Sequence, residues 1–390
     1  MSRPGTPMLR LAFLVPAGLA MLAGLNAALL LLGVPAPVQA PAWADLHGIL
    51  MVGGFLGTLI CLERAVALRQ AWAFCAPALL GVGALLLLTP LPALLGQLFL
   101  VEGVIGFIAI YLALWRRNHD DVVLVQLLGA VHLLIPLTLW IWLPLPWIMP
   151  WLVGFLVLTI GAERVELARL AMPATGGRTL VLAATALTLT ITATLPWPAW
   201  GARATGLVLG LFVIWLVRHD LARTLVRSSG LPRFSAAALL AGYAWLLVAA
   251  AAWLVAGDQR SGALYDLVVH SVMLGFAISM VMAHAPIILP AVLRRPLPYR
   301  AVMWAPLALL HAGLVVRVAA GDLAGITAAW RAGSVVNVIA LLLFVGVAAT
   351  SSLLGPRARP EPAPRARATR AQVSRPAPPD PTSSIPRSDS

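Results

Sequence analysis

Apolar runs of about 20 residues, broken by short polar interruptions, follow one another along the whole chain, and this spacing predicts about twelve membrane-spanning helices. They fall near 9–33, 46–68, 73–91, 95–115, 121–143, 148–170, 179–195, 199–217, 234–256, 265–292, 301–320 and 331–354. Proline and glycine lie mostly between the runs or near their ends. The first run is followed by Val38-Gln39-Ala40, which looks like a cleavage site. The run is long for a signal peptide and Pro41 would follow the cut, so it counts as a helix.

Composition supports the same reading. The 390 residues are 61% hydrophobic and only 11% charged, with a mean hydropathy of +0.93; soluble chains carry about 25% charged residues. All 27 basic residues are arginine, and the net charge is +13. That charge reads as membrane topology rather than nucleic-acid binding. With the N-terminus on the cytoplasmic side, the inner loops collect Arg64, Arg69, Arg116, Arg117, Arg164, Arg169, Arg178, Arg218, Arg223, Arg227, Arg233, Arg294, Arg295 and Arg300. The outer side holds Arg203, Arg260, Arg317 and Arg331. This asymmetry is a positive-inside signal and predicts both termini cytoplasmic. Residues 356–390, rich in Arg, Pro and Ser, read as a disordered tail following a membrane domain over 1–355. Cys61 and Cys75 lack zinc spacing and are expected as free thiols.

The polar residues inside the apolar runs repeat. Gly54-Phe55-Leu56 recurs as Gly154-Phe155-Leu156, Ile60 as Ile160, Glu63-Arg64 as Glu163-Arg164 and Arg69 as Arg169. Trp115 recurs as Trp215 and His119-Asp120 as His219-Asp220, always 100 residues apart. A fainter third copy puts Gly275-Phe276 where Gly54-Phe55 stood and His284 where Glu63 stood. The unit holds four helices, an even number, so its copies run parallel. The fold class expected is therefore all-α: a polytopic membrane protein of three parallel four-helix pseudo-repeats, about 9–115, 121–217 and 234–354. Helices two, six and ten carry the motif.

Five histidines lie within the predicted spans. His270 and His284 share one run, and their spacing of fourteen residues, roughly 21 Å of helix, puts both near one face. Pro286 and Pro290 follow, predicting a kink beside His284. His47 opens the second helix as His270 opens the tenth, each shortly after an acidic residue, Asp45 or Asp266, suited to capping the helix or orienting the imidazole. His132 and His311 are mid-span, where a polar group is costly. Each of these histidines reads either as a metal or haem ligand or proton relay, or as a packed and hydrogen-bonded neutral ring. Glu102 and Arg317 read as snorkelling or paired charges, with a buried propionate a further use for Arg317. Glu63 and Arg64 are adjacent and expected to point apart, and their duplication suggests a clamp at helix ends. Glu166 and Arg169 read as an i,i+3 pair. His119 and His219 sit in basic loops and read as solvated. No Walker motif, dinucleotide fingerprint, CxxCH or HExxH occurs.

Twelve helices in three units, with histidines opening the second and tenth, resemble the haem-copper oxidase subunit I architecture. The stretch His47-Gly48-Ile49-Leu50-Met51-Val52-Gly53-Gly54-Phe55, the run from His270, Arg294-Arg295-Pro296-Leu297, Arg317-Val318 and Trp330 are similar to the NnrS family of membrane proteins. That resemblance implies haem and copper as cofactors and a link to nitric oxide or respiratory, denitrification-type metabolism. It makes His47 and His270 the axial-ligand candidates, with His284, His311 and His132 as further candidates. Two other classes fit the residues: a proton-coupled small-molecule transporter and a cofactor-free assembly factor. The lipid bilayer is the partner expected in every case.

Overall fold

The computed structural model describes residues 7–169 and 172–355, which are mostly helical, with no strand among them. The tail expected over 356–390 lies outside the described residues. The helices are α1 (Pro7–Leu31), α2 (Pro41–Leu68), α3 (Ala71–Leu86), α4 (Ala93–Asn118), α5 (Asp121–Leu139) and α6 (Leu145–Leu167). They continue as α7 (Gly176–Ala193), α8 (Pro198–His219), α9 (Gly230–Ala256), α10 (Gly262–Val292), α11 (Ala301–Leu323) and α12 (Thr327–Leu354). Eleven are long and apolar enough to cross a membrane, which makes the chain an all-α polytopic membrane protein. The exception is α3, where the apolar run promised a full span. Pro90 and Pro92 cannot continue a helix, so it stops at Leu86 after roughly 24 Å, short of the ~30 Å hydrocarbon core.

Neighbouring helices in sequence are neighbours in space, and the first two sets of four pack alike. Helix α1 lies against α2 and α3, and α3 against α4; α5 lies against α6 and α7, and α7 against α8. Helices α4 and α8 then pack on α5 and α9, joining one set to the next. The three helices carrying the repeated motif form the centre. In the most apolar stretches of α2, α6 and α10, 67%, 83% and 72% of residues are buried, against 28–50% in the other long helices.

The repeated glycine explains how these helices come to be enclosed. A Cβ at Gly54 would lie 2.9 Å from the Ala20 methyl of α1, one at Gly154 2.5 Å from the His132 ring of α5, and one at Gly275 in hard overlap with Trp245 of α9. In each case the notch receives a side chain from the first helix of the same set. Close approach through small residues is how helices associate in lipid, where hydrophobic burial gives no drive between them.

Three helices also contain widened, π-helical stretches: Leu50–Gly57 in α2, Ser271–Ile278 in α10 and Val316–Leu323 in α11. Such turns are rare and concentrate at functional sites. The first two begin just after His47 and His270. Helix α6, which has Trp147 in place of a histidine at its start, is regular throughout. Helix α10 also runs on through Pro286 and Pro290 as one helix to Leu293. The two free thiols are confirmed, Cys61 buried and Cys75 exposed.

Candidate functional site

Polar side chains collect in two layers, one at each end of the central helices. The first holds His47 and His270. The His47 Nδ1 is 2.8 Å from the Gly24 carbonyl of α1, and the His270 Nδ1 is 3.0 Å from the Asp266 carbonyl one turn back. A carbonyl only accepts, so both rings carry their proton on Nδ1 and present Nε2 as a bare lone pair. Neither Nε2 meets a partner among the described residues. Both rings are half-buried, and His47 is within electrostatic reach of His270, Asp266 and Arg317. Asp45 makes no hydrogen bond among the described residues, and the His47 ring is held by a backbone carbonyl from α1.

Asp266 is the hub of this layer. Its carboxylate accepts from Arg317 Nε and Nη2 at 2.9 and 2.7 Å and from Trp330 Nε1 at 3.0 Å. Its Oδ1 is also 3.1 Å from His270 Nδ1. The sequence left Arg317 between pairing and holding a propionate, and the structure pairs it. A bidentate Arg–carboxylate contact of this kind is charge-assisted and geometrically specific. Beside it lies a cavity of about 420 Å³ lined by Tyr265, Asp266, Asp322, Thr327 and Trp330. Asp322 aims a buried Oδ2 with no partner at this region.

The other three candidates are held elsewhere. His311 accepts from Trp245 Nε1 on Nδ1 at 3.1 Å, which leaves its proton on Nε2, 3.3 Å from Ser279 Oγ. His284 accepts from Arg164 on Nε2 at 3.2 Å, while its ring also bonds the Met280 carbonyl. Both rings therefore have both nitrogens engaged. His132 binds the Leu128 carbonyl through Nδ1 at 2.9 Å and leaves Nε2 buried and unpartnered. That ring is wedged into the Gly154 notch and against Trp151, 5.0 Å between centroids, with no gap for a flat macrocycle. Of the five histidines, His47 and His270 alone keep an accessible ligand nitrogen. This donor set fits a haem iron: neutral imidazoles with the far N–H fixed by a carbonyl or carboxylate, as metal-ligating histidines are held.

The second layer lies at the opposite end of the same helices. Arg64 Nη2 donates to Glu63 at 2.6 Å, so these neighbours bond rather than diverge, because the long arginine stem folds back along the helix. The three positions matched by the repeat meet here: Glu63 is within electrostatic reach of Glu163 and His284. Arg164 donates through Nε and Nη2 to Asp220 at 3.0 and 2.8 Å, and Tyr243 adds a 2.6 Å bond to the same carboxylate. Asp220 also caps the turn beyond α8 by accepting from the Ala222 amide at 2.8 Å, as Asp120 accepts from Val122 at 3.0 Å. Burial alone would raise the Asp220 carboxyl, but the bonds from Arg164, Tyr243 and Ala222 outweigh it and hold the carboxyl below its ordinary value. Arg169 lies past the end of α6 and bonds Asp120 instead of Glu166, since the helical i,i+3 spacing has already ended.

Sequence reasoning missed Tyr111, Tyr243, Asp322 and the role of Trp245. Each is a single polar or aromatic residue in an apolar run, and no local pattern marks its partner. Asp220 was visible as a repeated residue but not as the counter-ion of Arg164.

The architecture is that of a polytopic membrane protein with a histidine layer and an acidic layer on one set of central helices. The chain belongs to the family described as domain of unknown function DUF8744, whose model matches residues 10–353, nearly the whole membrane domain. No curated protein matches the chain.

Proposed function

We propose that the chain is a haem-binding membrane protein in which His47 and His270 supply the iron ligands. One observation carries this reading. The two central helices each present, at the same end, an imidazole whose Nδ1–H is fixed and whose Nε2 is free, beside a widened turn. The resemblance to the NnrS family supports it and extends it to nitric oxide or respiratory metabolism, with copper as a second metal. When bound, haem iron would supply electron transfer or capture of a small diatomic ligand. The protein's part is to hold the rings in one tautomer, and the Asp266–Arg317–Trp330 cluster stiffens the His270 side.

The test is a visible spectrum of the protein purified after expression with ample haem, oxidised and reduced. His47→Ala and His270→Ala should each abolish or shift the Soret band, while His119→Ala, His284→Ala and His311→Ala should leave its position unchanged. A colourless wild type, or a spectrum insensitive to both ligand substitutions, would overturn the assignment and return the proton-coupled transporter as the better account.

The same reading places the chain in a bacterial-type inner membrane with both termini cytoplasmic, supported by the arginine distribution and by counting α3 with the eleven longer spans. A reporter joined after Leu354 should be active in the cytoplasm, and activity on the other side would reverse the orientation.

A further inference from the structure

The acidic layer holds more negative charge than its arginines can balance. Arg164 is fully committed, with Nε and Nη2 on Asp220 and Nη1 on His284. Among the described residues, Arg64 is then the one cation hydrogen-bonded to either remaining carboxylate, Glu63 or Glu163, with Arg164 within electrostatic reach of Glu163. Glu63 takes its Nη2, and Glu163 makes no hydrogen bond among the described residues although Arg64 is within electrostatic reach. Two carboxylates that share one cation in a low-dielectric site repel each other, and such a pair takes up a proton more readily than either carboxylate would alone.

A second observation points to something between them. Tyr111 is fully buried, its Oη has no partner, and it lies within electrostatic reach of Arg64, Glu63 and Glu163. The Arg64 Nε is likewise buried with no acceptor. Unpartnered buried donors are rare in folded proteins and are commonly met by ordered water. A water accepting from Tyr111 Oη–H or Arg64 Nε–H and donating to a neighbouring glutamate would satisfy these donors. Both glutamates are half-buried and lie within the last two turns of their helices, close to the end from which a proton would enter.

We propose that Glu63 and Glu163, with water held by Tyr111 or Arg64, form a proton-binding site that carries one exchangeable proton between the two carboxyls. Uptake converts one carboxylate to a carboxylic acid, with the proton taken from hydronium, leaving water. The groups facing the pair are Arg64 and Cys61 from α2, Tyr111 from α4, Arg164 and Glu166 from α6, His284 from α10, and Asp220 and Tyr243 beyond Arg164. The site stands independently of haem, since none of these residues touches His47 or His270.

Infrared difference spectroscopy on the full chain in lipid nanodiscs, stepped between about pH 9 and 5, reads the C=O stretch of a protonated carboxyl directly. Measured with Asp322→Asn as the parent, which removes the other buried unpartnered carboxyl, the protein should show one such band that shifts in D2O. Both Glu63→Gln and Glu163→Gln should lose it, because the remaining carboxylate then has Arg64 to itself and stays ionised. Tyr111→Phe should shift the band without removing it, and Glu166→Gln should leave it unchanged. A band absent from this parent, or surviving either glutamine substitution, overturns the proposal. Should a glutamine variant fail to fold, labelling of wild type with dicyclohexylcarbodiimide, which requires a protonated carboxyl, decides the matter. The adduct should map to Glu63 or Glu163, and no adduct, or one mapped only elsewhere, overturns it.

Discussion

Replacing Asp220 by alanine tests the acidic layer most severely. In the folded protein this carboxylate accepts four hydrogen bonds, two from Arg164 and one each from Tyr243 and the Ala222 amide. Arg164 is 7% exposed and Asp220 4%, so the substitution leaves a buried guanidinium without its counter-ion. That alone costs about 3–5 kcal/mol. Loss of the cap at Ala222 adds about 1 kcal/mol. The sum of roughly 4–6 kcal/mol is comparable to the whole stability of many domains. Asp220→Asn keeps the shape and one acceptor but removes the charge, and should lose about half as much, near 2–3 kcal/mol. Removing both charges in Arg164→Met/Asp220→Leu should recover much of the loss, because no uncompensated ion remains. Unfolding in mixed micelles of rising SDS fraction, followed by tryptophan fluorescence, measures all three. The pH dependence has a definite sign. The folded carboxyl is held below its ordinary value, so its contribution is present above about pH 4 and disappears as pH falls through the folded value. Wild type should therefore weaken in that acid range, and Asp220→Asn should lack this component. A loss under about 1 kcal/mol for Asp220→Ala, or a double variant that simply adds the single costs, would refute the reasoning.

Other expectations follow from single contacts. Gly333→Ala would put a Cβ 2.5 Å from the Gly313 carbonyl and 2.6 Å from the Arg317 amide, and should destabilise the α11–α12 contact by about 1–3 kcal/mol in the same unfolding assay. Gly346→Ala, which meets open space, should stay within about 0.5 kcal/mol of wild type. Trp245→Phe removes the donor to His311 Nδ1 and should cost about 1–3 kcal/mol, read by melting temperature in detergent. Arg169→Gln breaks an exposed pair with Asp120 and should change stability by less than about 1 kcal/mol, in contrast to Arg164.

What the sequence revealed was what is encoded locally. Helix positions follow from apolar length, and the structure departs where Pro90 and Pro92 truncate α3. The glycines at 54, 154 and 275 were legible as a repeat, and only the structure shows each received by a side chain from the first helix of its set. His47 and His270 were matched by depth, and the structure puts them within electrostatic reach of each other. Partner choice was hidden. Nothing near Glu63 says that Arg64 folds back to it, and nothing near Arg164 names Asp220, 56 residues on. Tyr111 and Asp322 are single residues whose burial depends on helices far away in the chain.

The widened turn in α2 also bears on how this chain can be compared with its relatives. A regular helix advances about 100° per residue, so one residue gained or lost rotates everything beyond it onto another face. A π turn absorbs an extra residue in place. Deleting one position within Leu50–Gly57 would restore a regular helix, hold Glu63 against its partners and swing His47 away from α10. Alignments of this helix therefore need a gap allowed at residues 50–57, or they will register a missing histidine where there is only a shifted one.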